Sequence, residues 1–251
     1  MILAHNMTSA RRLATVGLVA LLFAGCVAIP NVTPTPSPSP LPTIPPTTPL
    51  YTLGPTMSPS PFGCPTSAPA PFTGTATVTM TTNFGNMVIK VDGSLGPNAA
   101  GSFVAMSRCG YYNNVIFHRV VPGFIIQSGD GEYARLPNLG FGLMGTGGPG
   151  WTIKDDPVTT TYKRGTVAMA RTGSTDSGST QFFIVLDDSA QTSLGASTAN
   201  NYAIFGNVTT GMDVADRIAA VPLGGEPDVS GGTPSMPLQP VVITSTIVTT
   251  P

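Results

Sequence analysis

Charged side chains are scarce in this chain of 251 residues, at 9% of the sequence, and the two signs nearly cancel to a formal net charge of −1. Nucleic-acid binding needs a basic patch, and an acidic tail needs a run of carboxylates. The composition excludes both classes. Glycine and proline are abundant instead, with 29 and 26 residues, and their uneven spread indicates a linker joined to one globular domain. A domain of about 175 residues buries roughly 70% of its unfolded surface, which is enough for a core of its own.

The sequence also lacks a long apolar run near its N-terminus. Residues 13–24 form an apolar stretch of only twelve residues, whereas a helix needs about 20 to cross a bilayer. Arg11 and Arg12 precede this stretch. A basic segment followed by a short apolar segment is typical of an export signal. The pattern therefore predicts a targeting segment and not a membrane span.

Small residues and a cysteine close this stretch, as Ala24-Gly25-Cys26. The order resembles a bacterial lipobox, with Phe23 where leucine is more usual. The resemblance implies a lipoprotein signal peptide over residues 1–25, cleavage before Cys26, and lipidation of its thiol with acyl chains such as palmitate. The protein is then expected to be extracytoplasmic and lipid-anchored to a bacterial cell membrane. An ordinary secretory signal and an uncleaved anchor are the alternatives.

Proline, serine and threonine dominate residues 26–72, as in the run from Thr33 to Pro40. Such a segment buries too little apolar surface to offset its chain entropy. We therefore predict a disordered, extended linker that holds the domain away from the membrane. Proline-rich tracts also serve as ligands for other domains, and this is the alternative interpretation.

Only three cysteines are present. If Cys26 carries lipid, Cys64 and Cys109 are left as a pair in an oxidising compartment, where a disulfide can form. Cys64 falls in the predicted linker, however, and Cys109 also fits a buried position near the end of a helix. The sequence leaves the pairing open.

The globular domain is predicted over residues 73–251. Residues 75–81 alternate apolar side chains with threonine, as in a half-buried strand, and residues 87–91 return as a second strand. Pro97 occupies a position typical of the first residue of a helix, and Gly110 is typical of its end. Many short strands with two short helices indicate a mainly β fold in which helices cap a barrel.

The domain is organised around residues 117–130, an apolar stretch with Pro122-Gly123 at its centre. β-Branched residues dominate it, so a strand that bends sharply at the Pro-Gly pair is favoured over a helix. Arg119, Phe124 and Gln127 do not fit a plain core strand.

A strand has a side-chain period of two, which predicts that Phe124 and Ile126 face one way and Ile125 and Gln127 the other. A bulge at the bend would change that count. An arginine, a phenylalanine and an amide on one concave surface suit a small apolar ring beside an amide bond. A proline and the peptide bond before it have this chemistry.

Residues 117–130 resemble the signature of the cyclophilin family of peptidyl-prolyl cis-trans isomerases. That signature is Phe-His-Arg, two hydrophobic residues, Pro-Gly-Phe, two further residues and Gln-Gly-Gly-Asp. The match has no gaps, and Ser128 stands at the first of those glycines.

Two further segments extend the resemblance. Residues 167–171 and 179–184 are similar to the family's Met-Ala and Ser-Gln-Phe-Phe-Ile segments, with Thr180 in place of the serine. Residues 145–156 are similar to a glycine-rich loop of prokaryotic members. The resemblance covers roughly residues 74–249 and implies an eight-stranded antiparallel β-barrel capped by two short helices.

The resemblance also implies catalysis of cis–trans isomerisation at X-Pro bonds, a reaction that needs no nucleophile, metal or cofactor. The uncatalysed barrier is about 18–20 kcal/mol, because resonance keeps the amide planar. By resemblance, Arg119 hydrogen-bonds the prolyl nitrogen of the twisted state, Phe124 contacts the proline ring and Gln127 orients the arginine. The substrate-binding positions of the family correspond to Ile125, Ala170, Gln181, Phe183, Leu194 and Tyr202. His118 has no proton to transfer and is interpreted as structural.

Two features depart from the family pattern. The family's Trp-Leu-Asp-Gly-x-His segment is replaced by Ser193-Leu194-Gly195, followed by a longer loop before Tyr202. Residues 131–144 are longer than the connection that the family usually has there, and the sequence assigns them no role.

The expected function is prolyl isomerisation that assists the folding of exported proteins. The expected partners are Pro-containing peptides, unfolded exported proteins and the membrane that holds the lipid anchor, without nucleic acid, and the chain is expected to be monomeric. The alternative is a catalytically weak cyclophilin module that binds Pro-containing segments as a chaperone or scaffold. The X-Pro bonds of the linker are a further potential ligand of the site.

Overall fold

The computed structural model describes residues 63–195, 202–227 and 234–251. The predicted signal peptide, Cys26 and the linker up to residue 62 lie outside the described residues. Residues 196–201 of the predicted longer loop also lie outside them.

The described residues form ten strands and three helices. In chain order these are β1 (Thr75–Thr82), β2 (Gly85–Asp92), α1 (Pro97–Arg108), β3 (Arg119–Val121), β4 (Ile125–Ser128), β5 (Thr166–Met169), β6 (Phe182–Val185), α2 (Ala190–Leu194), β7 (Ile204–Thr210), α3 (Met212–Ala219), β8 (Leu223–Pro227), β9 (Pro234–Pro237) and β10 (Ile243–Thr249).

Eight of the strands form one antiparallel sheet in the order β10-β1-β2-β7-β5-β6-β4-β3, and β8 pairs with β9. The backbone N–H of Asn114 donates to the carbonyl of Ile243 at 2.7 Å, and that of Phe117 donates to the carbonyl of Val241 at 2.9 Å. These bonds link the segment that precedes β3 to the start of β10 and the residues just before it. The prediction of a mainly β, eight-stranded antiparallel fold is confirmed.

The prediction of two helices is wrong, because α2 is a third. It has five residues, Ala-Gln-Thr-Ser-Leu, of which only Ala190 and Leu194 are buried. A single helical turn with two apolar positions has no periodicity that distinguishes it from a loop. Among the described residues, no helix combines the length and the apolar character needed to cross a bilayer.

Helix α1 closes the core against the sheet. It begins at Pro97, as predicted, and the buried carboxylate of Asp156 accepts hydrogen bonds from the backbone N–H groups of Asn98 at 3.2 Å and Ala99 at 2.9 Å. A carboxylate at this end of a helix is stabilised by the free N–H groups and by the helix dipole. Phe103 on the buried face packs within 5.4 Å, ring centre to ring centre, of Tyr112, Phe182 and Phe205.

An N-terminal arm, residues 63–72, packs along α1. Its Phe72 donates from the backbone N–H to the carbonyl of Pro97 at 2.9 Å. Two glycines make room for it, because a Cβ on Gly101 would collide with the carbonyl oxygen of Ala70, and one on Gly93 with that of Phe72. The sequence assigns these ten residues to the linker, but they lie on the domain.

A disulfide links Cys64 of the arm to Cys109, just after α1. The structure thus resolves the pairing that the sequence left open. The bond ties the start of the described chain to the C-terminal end of the helix along which the arm runs.

Replacing both Cys64 and Cys109 by serine is expected to lower the free energy of unfolding by about 3–4 kcal/mol, because the bridge restricts the unfolded chain across a sequence separation of 45 residues. Urea unfolding of both proteins measures the difference. A reductant should destabilise the wild type and leave the double variant unchanged. Equal stability of the two oxidised proteins would contradict a structural role for the bond.

Candidate active site

A cleft of about 1050 Å³ opens on the outer face of the curled sheet. All nine residues that the sequence assigns to catalysis or substrate binding line it, namely Arg119, Phe124, Ile125, Gln127, Ala170, Gln181, Phe183, Leu194 and Tyr202. His118, which was interpreted as structural, also reaches the cleft wall but is largely buried. The predicted residues therefore share one concave surface.

The hairpin β3–β4 brings the arginine and the amide together. The backbone N–H of Phe124 donates to the carbonyl of Val121 at 3.0 Å, which closes a tight turn over Pro122 and Gly123. Gly123 has φ = +71°, which glycine adopts without strain. The two strands pair so that Arg119 lies directly opposite Gln127. The Pro-Gly pair is thus a hairpin turn and not a bend within one strand.

The predicted alternation of side chains fails at Phe124. Phe124 and Ile125 pack in the same apolar cluster beside the cleft, whereas Ile126 lies in the main core. Phe124 belongs to the turn, because β4 begins only at Ile125, and the period of two does not extend into a turn. Ile125 and Gln127 do share a face, as predicted.

A chain of side-chain amides orients Gln127. Its Nε2 donates to Oε1 of Gln181 at 3.1 Å. Nε2 of Gln181 in turn donates to the carbonyl oxygens of Gly145 at 3.0 Å and Gly147 at 2.9 Å. Both amides are therefore held in one orientation by neighbours that do not titrate. This series of hydrogen bonds ends at the backbone of residues 145–147.

That backbone is in turn held by Asp130, which the sequence did not single out. Its carboxylate is buried and accepts four backbone hydrogen bonds, from Glu132 at 3.1 Å, Tyr133 at 2.8 Å, Gly145 at 2.7 Å and Gly147 at 3.1 Å. One carboxylate thus binds both ends of the 131–144 loop. Its place as the last residue of the central motif was the only signal in the sequence.

Arg135 fixes the base of the same loop from the other side. Its guanidinium donates to the carbonyl oxygens of Gly131 at 3.0 Å, Tyr111 at 2.6 Å and Asn113. Burial lowers the pKa of Arg135. Three carbonyl acceptors offset the cost of desolvating the guanidinium. Arg135 and Asp130 together therefore hold the loop on the domain, although it is longer than expected.

The floor of the cleft is apolar and well packed. Four of its side chains are buried in one cluster: Ile125, Ala170, Phe183 and Leu194. Phe183 meets Tyr202 edge to face, with ring centres 5.4 Å apart. The hydroxyl of Tyr162 donates to the carbonyl of Tyr202 at 2.8 Å and accepts from its N–H at 2.9 Å. Burial raises the pKa of Tyr162 to about 12, so this support stays neutral at physiological pH.

Arg171 is a cleft residue to which the sequence assigned no role. Its Nε lies 3.5 Å from a carboxylate oxygen of Asp155, and its guanidinium stands over the ring of Tyr202 at 5.6 Å. The side chain is only 6% exposed. A buried cation between a carboxylate and an aromatic face holds the Tyr202 wall in place.

The comparisons with known proteins agree with this geometry. The family model for cyclophilin type peptidyl-prolyl cis-trans isomerases matches residues 77–248. The chain belongs to the cyclophilin family. Membership assigns peptidyl-prolyl cis-trans isomerisation to it and confirms the resemblance drawn from the three motifs.

Individual cyclophilins match most of the described domain. The chain is 39% identical over 169 residues to the peptidyl-prolyl cis-trans isomerase of Acinetobacter baylyi, covering 67% of this chain and 82% of the relative. It is 38% identical over 173 residues to peptidyl-prolyl cis-trans isomerase B of Escherichia coli, covering 68% and 98%. A Cryptosporidium parvum cyclophilin solved in the presence of the dipeptide Ala-Pro superposes with a TM-score of 0.56 at 26% identity, covering 70% and 99%.

One rim of the cyclophilin cleft is formed by Ser193, which by resemblance stands where the family has a tryptophan. Ser193 lies on α2, is exposed and lines the cleft. Leu194 beside it is buried in the floor, which supports its assignment. The rim is therefore lower and more polar here than an indole would make it.

Asp130→Asn is expected to lower the free energy of unfolding by about 2–4 kcal/mol, because the new NH₂ group faces two backbone donors that then lack an acceptor. It should also lower kcat/KM, because the carbonyls that hold Gln181 move with residues 145–147. Urea unfolding and an isomerase assay measure both effects.

Asp213→Asn is the matched control. This carboxylate is 73% exposed and pairs with Arg217 at 2.8 Å on α3, so its loss should cost less than about 1 kcal/mol and leave kcat/KM unchanged. If Asp130→Asn is as mild as the control, the carboxylate does not hold the cleft together.

Proposed function

We propose that this cyclophilin isomerises X-Pro bonds in exported proteins outside the cytoplasm, with Arg119 as its catalytic residue and a lipid on Cys26 as its anchor. One observation carries the catalytic part of the proposal. Arg119 and Gln127 lie opposite one another on the β3–β4 hairpin and line the same cleft as the apolar floor. A cation, a fixed amide and an apolar pocket are the groups that a twisting X-Pro bond requires.

The arginine acts on the twisted state. As the peptide bond rotates, amide resonance is lost and the prolyl nitrogen becomes able to accept a hydrogen bond. A guanidinium aimed at that nitrogen stabilises the twisted state more than either planar isomer, which is the condition for catalysis. Lowering the barrier by about 5 kcal/mol accelerates rotation on the order of several thousand-fold. No proton is transferred, so His118 needs no part in the step.

The apolar floor and the fixed amide orient the substrate. Phe124, Ile125, Phe183 and Leu194 cluster where a pyrrolidine ring can be buried, and ring burial is worth about 25 cal/mol per Å² of apolar surface. Gln127 cannot rotate freely, because its side chain is bonded to that of Gln181. The apolar floor holds the proline ring while the carbonyl of the preceding residue turns. Binding of the ring and rotation of the peptide bond therefore use different parts of the cleft.

Arg119→Ala is expected to lower kcat/KM for an Ala-Pro peptide on the order of 100- to 1000-fold, because it removes the donor that acts on the twisted state. A protease-coupled isomerase assay measures the change, and circular dichroism checks the fold. Arg108→Ala, at an exposed position of α1, is the matched control and should be fully active. Equal activity of Arg119→Ala and the control would remove Arg119 from the mechanism. Absence of isomerase activity in the wild type and in both variants would favour a module that only binds proline segments.

The location outside the cytoplasm is supported by independent features of the chain. The basic and apolar segments before Ala24-Gly25-Cys26 match an export signal with a lipobox. The bond between Cys64 and Cys109 fits an oxidising compartment, since disulfides are rare in the cytosol. A proline-rich linker between lipid and enzyme would let the cleft reach unfolded chains near the membrane.

Cys26→Ser is expected to abolish lipidation and to leave an unprocessed precursor, because the modified thiol is lost. Fractionation of cells that express each form, followed by mass spectrometry of the N-terminal peptide, measures the outcome. Wild-type protein found in the soluble fraction with an unmodified Cys26 would count against the anchor but not against the isomerase.

A further inference from the structure

The N-terminal arm begins at the wall of the cleft. The indole Nε1 of Trp151 donates to the carbonyl oxygen of Pro65 at 3.1 Å. Trp151 also lines the cleft, together with the neighbouring Gly150. Trp151 therefore contacts the arm and lines the cleft.

This position is fixed and does not depend on one hydrogen bond. The disulfide ties Cys64 to Cys109, and the glycines at positions 93 and 101 let the rest of the arm lie flat on the domain. The first described residue, Gly63, is only two positions from Pro65, which contacts Trp151.

The preceding segment carries the chemistry that the cleft recognises. Residues 57–62 read Met-Ser-Pro-Ser-Pro-Phe and contain two X-Pro bonds, Ser58-Pro59 and Ser60-Pro61. No charged residue occurs between Arg12 and Lys90. The segment can therefore enter a partly apolar cleft without desolvating a charge, which would be costly.

The distances are short enough. Pro61 lies four residues before Pro65 and can be up to about 14 Å from it, and Pro59 up to about 20 Å. A cleft of about 1050 Å³ is roughly 10 Å on a side if taken as a cube. The tether lengths of both X-Pro bonds thus match or exceed the width of the cleft. A ligand on such a short tether experiences an effective concentration of about 1 mM.

We propose that residues 57–62 are a tethered ligand and substrate of the cleft of the same molecule. Ser58-Pro59 and Ser60-Pro61 bind there intramolecularly and compete with X-Pro bonds of other chains. The proposal rests on the proposed function, because it uses the same arginine and the same pocket. It assigns the linker a second role: the enzyme is partly occupied by its own chain until a client with higher affinity displaces it.

The direct test measures cis–trans exchange of the two bonds by NMR, in the chain that lacks only the predicted signal peptide and carries Cys26→Ser. Exchange is expected to be at least tenfold faster than in a free peptide of residues 54–63 and to be independent of protein concentration. Arg119→Ala should return it to the rate of the free peptide. If the acceleration of exchange disappears on dilution, or if exchange is not accelerated at all, intramolecular binding is refuted.

Competition supplies a second measurement. Pro59→Ala with Pro61→Ala should raise kcat/KM for an Ala-Pro tetrapeptide two- to tenfold, through a lower KM at unchanged kcat, because the tethered competitor is lost. Pro34→Ala with Pro36→Ala makes the same change farther along the linker and should have no effect. The chain has one tryptophan, so the fluorescence of Trp151 should respond to the first pair of changes and not to the second.

The outcomes separate the two proposals. If the wild type does not turn over the tetrapeptide, the proposed function fails. If it does, but both linker bonds exchange at the rate of the free peptide and the two double variants have equal KM values, only the tethered ligand is refuted.

Discussion

The buried carboxylate of Asp130 is the interaction on which the cleft depends. A buried charge costs several kcal/mol unless it is paired, so the structure is stable only when the four backbone donors converge on this group. Two of these donors belong to Gly145 and Gly147, whose carbonyls then accept from Gln181. The orientation of Gln127, which lies opposite Arg119 in the hairpin, therefore originates at a carboxylate outside the cleft lining. The 131–144 loop is held in addition by Arg135, whose guanidinium donates to three carbonyl oxygens.

The sequence correctly predicted those features for which a residue type fits only one kind of structural environment. Pro97 suits the first turn of a helix, and α1 begins there. Arg119 and Gln127 were placed in the cleft because their polarity conflicts with an otherwise apolar strand, and such a conflict marks a functional position. The side-chain period was correct for Ile125 and Gln127 and failed at Phe124, because the turn before it interrupts the alternation on which the argument rests.

The parts that the sequence did not predict depend on contacts between distant segments. The N-terminal arm has the composition of a linker and no apolar period, and it is held by a disulfide, backbone hydrogen bonds and the clearance at Gly93 and Gly101. No local pattern encodes such packing, because the signal is divided between distant residues, up to 45 positions apart at the disulfide. Asp130 was missed for a similar reason. A carboxylate after an apolar strand resembles a solvated loop residue until the four donors that surround it are known.

Ser128 and Gly129 show which part of the cyclophilin signature is imposed by geometry. Gly129 has φ = +100°, and a Cβ there would collide with the carbonyl oxygen of Thr180, so only glycine fits. Ser128 lies within β4, and its buried hydroxyl donates to the carbonyl of Ile116 at 2.9 Å. Thr180, which also departs from the family, donates to the carbonyl of Gly129 at 2.9 Å. Both departures leave their hydroxyl groups hydrogen-bonded, and a buried hydroxyl is costly only when it has no partner. The first glycine of the signature is therefore replaceable in this fold, whereas the second is fixed by the path of the backbone beside the cleft.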